Sequence, residues 1–554
     1  MRRIGLVAIN RIVQIFRQPR PVAALVSLCL AAFLPGFMTI PPVDRDEPSF
    51  AEATREMLNS HDYIRIKFQD RLFSHKPIGI HWLQALAAVA VGEHTDNPIW
   101  TYRLPSLIGA VLAVLATFGT GCLFFHPGVA LLGAALLSVS VLLAVEARLA
   151  TTDATLLLFV VIAQAGLARL YWVDGESAPS RRAALVFWSA VGFGIMLKGP
   201  VIAAVCGLTI LALILTDRET SWLRPLRSSI GIGLALLIVL PWMITVGLAT
   251  SGRFFTEAIG EDMLPTLLSG FEGHGAPPGY HAALFPVMFW PGSLLALLAV
   301  PWTWRHRGDA SVRFCVAWIV PTWLMFELMP TKLPHYVLPT YPAIALLAAR
   351  AASEMPTPFA SPPGKVALLA WATASLVVSA GVALFPIMVD GRVDPLAMVT
   401  AAAVMIFAAV VIRLTARGKG RVVVVLGAVL IYWPVFHGVL PGSDSMWLGW
   451  KAAQAVRAYA AHMDHRGPIV AAAGFREPSF VFLLGPATII TDGRGAADHL
   501  SRHHAGLALI DMRLREVFHA RLKAGGINAR LLGEVDGLNY STGARQSLGV
   551  YVKE

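Results

Sequence analysis

The chain has 554 residues, 56% hydrophobic and 14% charged, and its 45 Lys and Arg outnumber 34 Asp and Glu for a formal charge of +11. Mean hydropathy is +0.63 and the pI is near 9.7. Soluble domains carry about 25% charged residues, so the deficit excludes a disordered chain, a basic nucleic-acid-binding protein and a cytosolic multidomain enzyme as leading readings, while several apolar runs reach the roughly 20 residues needed to cross a bilayer.

In chain order, the first twenty residues are basic, with Ile4, Val7, Ile12, Ile15 and Phe16 at near-helical spacing. This predicts an amphipathic helix on the cytoplasmic interface rather than a cleaved leader. Spans are expected near 22–41, 103–125, 128–146, 154–172, 183–199, 200–216, 229–250, 283–302, 312–329, 335–352, 366–388, 396–414 and 422–441. That makes about thirteen helices, an odd number that puts the two ends on opposite sides. Alternate loops carry Arg181 and Arg182, then Arg218, Arg224 and Arg227, then Arg305, Arg307 and Arg313, then Arg350 and Lys365, then Arg413, Arg417, Lys419 and Arg421. Clustered Lys and Arg mark cytoplasmic loops, so the N-terminus reads as cytoplasmic and the C-terminus as periplasmic. The four cysteines, Cys29, Cys122, Cys206 and Cys315, all lie in apolar runs, too scattered for a zinc motif.

Two regions on the outer side are too long to be turns. Residues 42–101 include the moderately apolar stretch 78–92, read as a helix lying at the interface because a further span would invert every later loop. Residues 442–554 form the one soluble-like part, with helical runs at 451–464 and 496–504 and short apolar runs at 469–473, 505–510 and 548–552. That alternation predicts a small α/β domain following a transmembrane domain of residues 1–441. Residues 354–364 read as a Pro-rich linker, and no repeat of solenoid period is present.

The candidate chemistry lies in the outer segments. Asp46, followed by Glu47 and Pro48, opens a helix as an N-cap would, and Asp46, Phe50, Ala53 and Met57 share one helical stripe. By spacing alone Asp46 reads as the cap of a surface helix. Lys76-Pro77 closes the same loop and suits either a lipid phosphate or an interfacial snorkelling lysine. Arg148 and Asp153 stand at the end of a predicted span, where ionisable groups are functional candidates or a structural pair. Lys198-Gly199-Pro200 and Lys332-Leu333-Pro334-His335-Tyr336 occupy similar places, and a Gly/Pro-rich loop carries Glu272 and His274. A secondary transporter is expected to place such charges near the midplane, often with repeat symmetry. Their gathering on one face suits an enzyme acting at the outer leaflet on a lipid-borne substrate.

These motifs resemble membrane glycosyltransferases of the GT-C type that use polyprenyl-phosphate sugars, in particular bacterial lipid A aminoarabinose transferases and their protein-mannosyltransferase-like relatives. The likeness rests on DRDEPSFAEATREML followed by HKPIGIHWL, on ARLATTDATLLLF, on MLKGPVI and on TKLPHYVLPTYPAIALL, which keep the family's order over roughly the first 350 residues. The resemblance implies that Asp46 is the catalytic loop carboxylate with Glu47 beside it, that Asp153 is a second important acid, and that Lys76 contacts the donor phosphate, with Arg148, Lys198 and Lys332 as further phosphate contacts. His335, Tyr336 and Glu272 would line the substrate cavity. Relatives commonly carry Glu before the Lys-Pro, in a position linked to metal binding. Here it is His75, which with His274 leaves a divalent metal ion open as a cofactor.

The implied function is transfer of a sugar from a polyprenyl-phosphate donor to a lipid or protein acceptor, by an inverting displacement, in a bacterial inner membrane. The expected partners are that donor, the acceptor and membrane lipids, with no nucleic acid. Lipid A or another envelope glycolipid is the leading acceptor and protein O-glycosylation the runner-up. Outside the enzyme class, a flippase of lipid-linked sugar and a membrane scaffold with an outer sensing domain are the alternatives.

Overall fold

The computed structural model describes residues 19–69, 71–92, 97–172, 178–268, 275–355, 359–460, 469–503 and 506–554. The expected N-terminal interfacial helix lies mostly outside these residues, as do 356–358 of the Pro-rich linker, 461–464 of the first C-terminal helical run and 504–505 where two of its other runs meet.

Every apolar run read as a span contains helix, but the helices differ in length. Among the described residues seven are long and apolar enough to cross a membrane: Ile99–Phe124, Asp153–Trp172, Ser229–Ala249, Ala310–Leu328, Pro362–Asp390, Pro395–Thr415 and Arg421–Val439. Others are short or broken. Pro127–Ser138 and Val141–Glu146 are separated by extended Ser140, and Tyr280–Met288 is divided from Ser293–Arg305 around Pro291, whose ring nitrogen has no proton to donate. The stretch 78–92 is a 13-residue helix, Gly79–Val91. At 1.5 Å per residue it reaches only about 20 Å, short of a bilayer's hydrocarbon thickness. Large apolar side chains cover the outside of the bundle: Leu248 is 78% exposed and Leu430 75%. Such a surface belongs against lipid rather than water, and the chain is a multi-pass membrane protein.

Inside the bundle three large aromatics pair their polar tips, where an unpaired buried donor would cost about 1–3 kcal/mol. Trp290 Nε1 donates to Ser375 Oγ (3.0 Å), Trp371 Nε1 to the Pro291 carbonyl (3.0 Å) and the Tyr432 hydroxyl to the Val139 carbonyl (2.6 Å). Each bond ties a helix, Pro362–Asp390 or the one that starts at Arg421, to a break between two others, at 289–292 or 139–140. The four cysteines are free.

Residues beyond 442 form a mixed sheet of five strands. A separate hairpin, β1 (Lys67–Phe68) and β2 (Arg71–Leu72), comes earlier in the chain; the sheet itself comprises β3 (Val470–Ala473), β4 (Ile489–Thr491), β5 (Leu507–Asp511), β6 (Ala529–Asn539) and β7 (Ala544–Lys553). Their spatial order is β4-β3-β5-β7-β6, with β3 parallel to β4 and β5, and β7 antiparallel to β5 and β6. Both faces are covered. Val470, Leu507 and Val550 pack with the helix Leu448–Ala460, while Ala471, Ile510 and Tyr551 pack with the helices Gly493–Arg502 and Arg515–Ala524. Burial on two faces explains why β3, β5 and β7 read as continuous apolar runs.

Candidate active site

The helix Asp46–Ser60 starts with two acids and Pro48 in its first turn, where carboxylates complement the helix dipole and proline loses no hydrogen bond. The N-cap position belongs to Arg45, and no side chain caps the helix. Asp46 is therefore the first helical residue and not the expected cap. Phe50, Ala53 and Met57 of its stripe are buried, packing with Ile78, Ile80, Met196, Leu197 and Trp242. Asp46 itself is exposed at the head of that buried stripe.

Glu47, expected beside Asp46 in the chemistry, faces the other way. It is 1% exposed and accepts hydrogen bonds from Arg103 Nε (2.7 Å), Arg103 Nη2 (2.9 Å) and the backbone N–H groups of Val43 (2.8 Å) and Ala150 (2.9 Å). With both oxygens engaged, it anchors the loop and is not free to meet substrate. Arg103 also donates to the carbonyls of Phe37, Ile40 and Pro41.

The hairpin β1–β2 leads through Ser74 and His75 to Lys76, and the helix Gly79–Val91 follows. Gly79 is required by close packing, since a Cβ there would lie 2.5 Å from the Met196 carbonyl oxygen. Lys76 Nζ donates to Asp262 Oδ2 (3.0 Å) and to the His75 carbonyl (2.9 Å), while His75 Nδ1 lies 3.5 Å from Asp262 Oδ1. Burial alone would raise the Asp262 carboxyl, but the His75 hydrogen bond and the Lys76 charge outweigh it and hold it below the usual range.

A second cluster sits where four chain segments meet. Lys198 is the last residue of the helix Ala178–Lys198, and Gly199, at φ +60°, makes the left-handed turn into the helix Val201–Asp217. Lys198 Nζ lies 2.6 Å from Asp153 Oδ1 at the start of the helix Asp153–Trp172, and 5.6 Å from the Tyr336 ring centre. His335, from the 3-10 turn Pro334–Thr340, places Nδ1 3.5 Å from Glu146 Oε1 and Nε2 3.9 Å from Asp153 Oδ2. Thr151 and Thr152 donate to Glu146 (3.1 Å) and Asp153 (3.3 Å). Asp46 acts electrostatically on Glu146, His335 and Tyr336, and Lys76 on Asp153 and His335. The structure thus brings Asp153, Lys198, His335, Tyr336 and Glu146 into contact, pairs Lys76 with Asp262, and leaves Asp46 and Lys76 within electrostatic reach of the cluster. Glu146 carried a signal in the sequence as an acid closing an apolar run. Asp262 had none that tied it to Lys76.

Two expected phosphate contacts lie elsewhere. Arg148 is buried over the Phe436 ring and donates to the carbonyls of Ala32, Pro35 and Ala144. Lys332 is buried with its ammonium on the carbonyls of Ala276 (2.8 Å) and Met329 (2.5 Å). Both satisfy backbone oxygens and do not face the cluster. Glu272 and His274 lie outside the described residues. Among the described residues no group of three or more His, Cys, Asp and Glu is placed to hold a metal ion. Among the described residues, the carboxylate beside His75 is that of Asp262, which also takes the Lys76 ammonium.

Beside the hairpin that leads to Lys76 opens a cavity of about 560 Å³ lined by Arg65, Lys67, Arg71, Arg253, Glu257 and Glu261 among others. Glu257 accepts from Ser74 Oγ (3.1 Å), two residues before Lys76, so the cavity adjoins the lysine's own loop.

A family model described as dolichyl-phosphate-mannose-protein mannosyltransferase matches residues 75–244. The undecaprenyl phosphate-alpha-4-amino-4-deoxy-L-arabinose arabinosyl transferase of Pseudomonas aeruginosa is 27% identical over 337 residues, 58% of this chain and 58% of that protein. The transferase of the same name from an Enterobacter species is 25% identical over 320 residues, 56% of this chain and 55% of that one. The matched stretch thus spans little more than half the length of these curated relatives. The crystal structure of ArnT from Cupriavidus metallidurans bound to undecaprenyl phosphate superposes with a TM-score of 0.76 at 18% identity, covering 96% of this chain and 97% of that one. The oligosaccharyltransferase of Archaeoglobus fulgidus gives a TM-score of 0.52 at 10% identity, covering 90% and 70%. The chain therefore has the fold of these lipid-linked-sugar transferases, as its motifs implied.

Proposed function

We propose that the protein transfers a sugar from a polyprenyl phosphate to lipid A or another envelope glycolipid at the periplasmic face of a bacterial inner membrane. The observation that carries this reading is the Asp153–Lys198 pair with His335 and Glu146, within electrostatic reach of Asp46 and Lys76, in a fold shared with a protein solved with undecaprenyl phosphate. About thirteen crossings, with the N-terminus cytoplasmic and residues 442–554 periplasmic, fit the alternation of basic loops.

In the reaction, the bond between the anomeric carbon and the phosphate oxygen breaks as an acceptor oxygen attacks from the opposite face, which inverts the anomeric centre. The phosphate leaves as a stable anion, so it needs charge stabilisation more than a proton. Lys76, steadied by Asp262, supplies that charge with help from Lys198, which is held by Asp153. Asp46, exposed and close to the cluster, orients an acceptor hydroxyl and takes its proton late in the displacement. For a phosphate acceptor no base is required and Asp46 serves to position it. The cavity at the hairpin, with four cations against two acids in its lining, supports an anionic acceptor headgroup.

Mass spectrometry of envelope lipids from cells making the wild-type protein, Asp46→Asn, or no protein tests the reading. A sugar adduct on a lipid seen only with the wild type supports it. Unchanged lipids alongside lost glycopeptides move the acceptor to protein. Lipid-linked sugar that crosses the bilayer without forming a glycosidic product overturns the enzyme reading in favour of a flippase.

A further inference from the structure

We propose that Ser479, Glu477 and Tyr540, all from the C-terminal segment, are positioning residues for the sugar-transfer site, gripping Asp44 and Arg45 and so fixing the first turn that presents Asp46. The inference rests on the transfer reading above and gives the C-terminal segment a role in the chemistry.

The grip is polar and directional. Asp44 takes hydrogen bonds on both carboxylate oxygens, from the Ser479 N–H (2.9 Å) and the Ser479 hydroxyl (2.8 Å). The Asp44 N–H donates to the Tyr540 hydroxyl oxygen (2.5 Å). Arg45 Nε lies 3.6 Å from Glu477 Oε2, and buried Glu477 is held in turn by Asn539 Nδ2 (3.0 Å) and Ser541 Oγ (3.3 Å). Asp46 follows directly in the chain. On its other side, Glu47 is locked to Arg103. The exposed carboxylate therefore projects from a turn fastened at two points, one in the membrane bundle and one in the C-terminal segment.

The same segment reaches further along both site-bearing elements. Arg55, on the Asp46 helix, donates to the Val481 carbonyl (3.2 Å) with its guanidinium 5.1 Å from the Phe482 ring centre. Gln69, at the tip of the hairpin that leads to Lys76, donates to the carbonyls of Thr488 (2.7 Å) and Pro486 (3.2 Å). The supports of Asp46 and of Lys76 thus bear on one body. Apolar docking alone would permit small slides, whereas paired hydrogen bonds fix a backbone to fractions of an ångström. Misplacing a reacting group by about 1 Å costs about 100-fold in rate.

The test uses the full-length protein in liposomes, as wild type, Ser479→Ala, Ser479→Thr and Tyr540→Phe. Asp498→Ala, in an exposed ion pair with Arg521 elsewhere in the same segment, is the control. Three quantities are read: amide hydrogen exchange over residues 43–50, affinity for undecaprenyl phosphate, and the rate of sugar transfer to envelope lipid. Ser479→Ala is expected to speed exchange over 43–50 at least tenfold, with the helix Ile99–Phe124 unchanged. It should cut turnover at least tenfold and leave undecaprenyl phosphate affinity within twofold, and Ser479→Thr should recover most of the turnover. Tyr540→Phe should follow Ser479→Ala more weakly, and Asp498→Ala should match the wild type. Wild-type exchange and turnover in Ser479→Ala would overturn the proposal, as would a loss of undecaprenyl phosphate binding in step with turnover. Faster exchange in a protein whose wild-type form moves no sugar would instead sink the transfer reading and leave the grip supported.

Discussion

Asp46 and Glu47 are adjacent acids in one turn, and the structure predicts that they fail in opposite ways. Glu47→Gln keeps the shape but removes the charge opposite Arg103, which is itself fully buried. The new amide nitrogen is a donor facing an environment of donors, since Glu47 accepts from Arg103 and from the N–H groups of Val43 and Ala150. Breaking a buried ion pair from one side costs about 3–5 kcal/mol. The three carbonyls that also hold Arg103 put the expected loss near the lower end, about 3 kcal/mol, against a total stability of order 5–15 kcal/mol. Asp46→Asn removes only an exposed carboxylate from a helix start, worth about 0.3–1 kcal/mol. Thermal unfolding of both variants in detergent, alongside sugar transfer per folded molecule, separates the two. Glu47→Gln should melt well below the wild type, while its folded fraction retains activity. Asp46→Asn should melt close to the wild type and lose transfer. A Glu47→Gln protein with wild-type stability and no transfer would refute the assignment of Glu47 to the scaffold.

Lys76→Ala should weaken undecaprenyl phosphate binding at least tenfold, about 1.4 kcal/mol, and Lys76→Arg should recover part of it; calorimetry or thermal-shift titration in detergent reads the difference. Gly79→Ala should impair transfer more than Gly199→Ala, because the first pushes a Cβ into the Met196 backbone whereas the second meets open space and costs only the left-handed conformation, about 1–2 kcal/mol. Asp44 is raised to about 7, chiefly by burial and further by Glu477 and Glu47, against the Ser479 hydrogen bonds that lower it. The folded protein therefore keeps a proton that the unfolded chain releases near its ordinary value of 3.8, so this contribution to stability is full below about pH 4 and is lost as pH rises to about 7, by at most roughly 4 kcal/mol. Asp44→Asn should flatten that part of the melting-temperature profile between pH 4 and 7. A residual slope of the same sign should remain from Glu52, raised to about 7 by burial against the opposing charge of Arg55.

Much of this molecule is legible in one dimension because it is so apolar. Lipid leaves the spanning helices no alternative to internal hydrogen bonding, so hydropathy locates them, and the scarcity of charge makes Asp46, Lys76, Asp153, Lys198 and His335 stand out. The C-terminal strands β4 and β6 left no such mark: β6, at a sheet edge, mixes exposed, half-buried and buried residues without a regular period, and β4 is three residues long. Pairing was equally hidden. Lys76 finds its acid 186 positions away and Glu47 its arginine 56 away, distances that only the packing of helices brings to zero.

The misreadings of Arg148 and Lys332 have one physical origin. Where a helix breaks or ends within an apolar bundle, its last carbonyls lack partners, and water is not there to supply them. A cation can therefore be recruited for backbone oxygens as readily as for a substrate anion, and position near a membrane surface does not separate the two uses. Donor geometry helps. Arg103 and Arg148 spread a planar fork of N–H groups over three carbonyls each, a task suited to guanidinium. Lys76 and Lys198 each place a single compact charge on a carboxylate in the cluster. Lys332 breaks the correlation by sitting on two carbonyls, so residue type alone does not decide. What distinguishes the lysines of the cluster is an acid within 3.0 Å that itself stands beside other titratable groups. A cation held that way carries a charge pattern that an arriving phosphate can share, whereas one fixed to carbonyls gives up the fold's own hydrogen bonds if it moves.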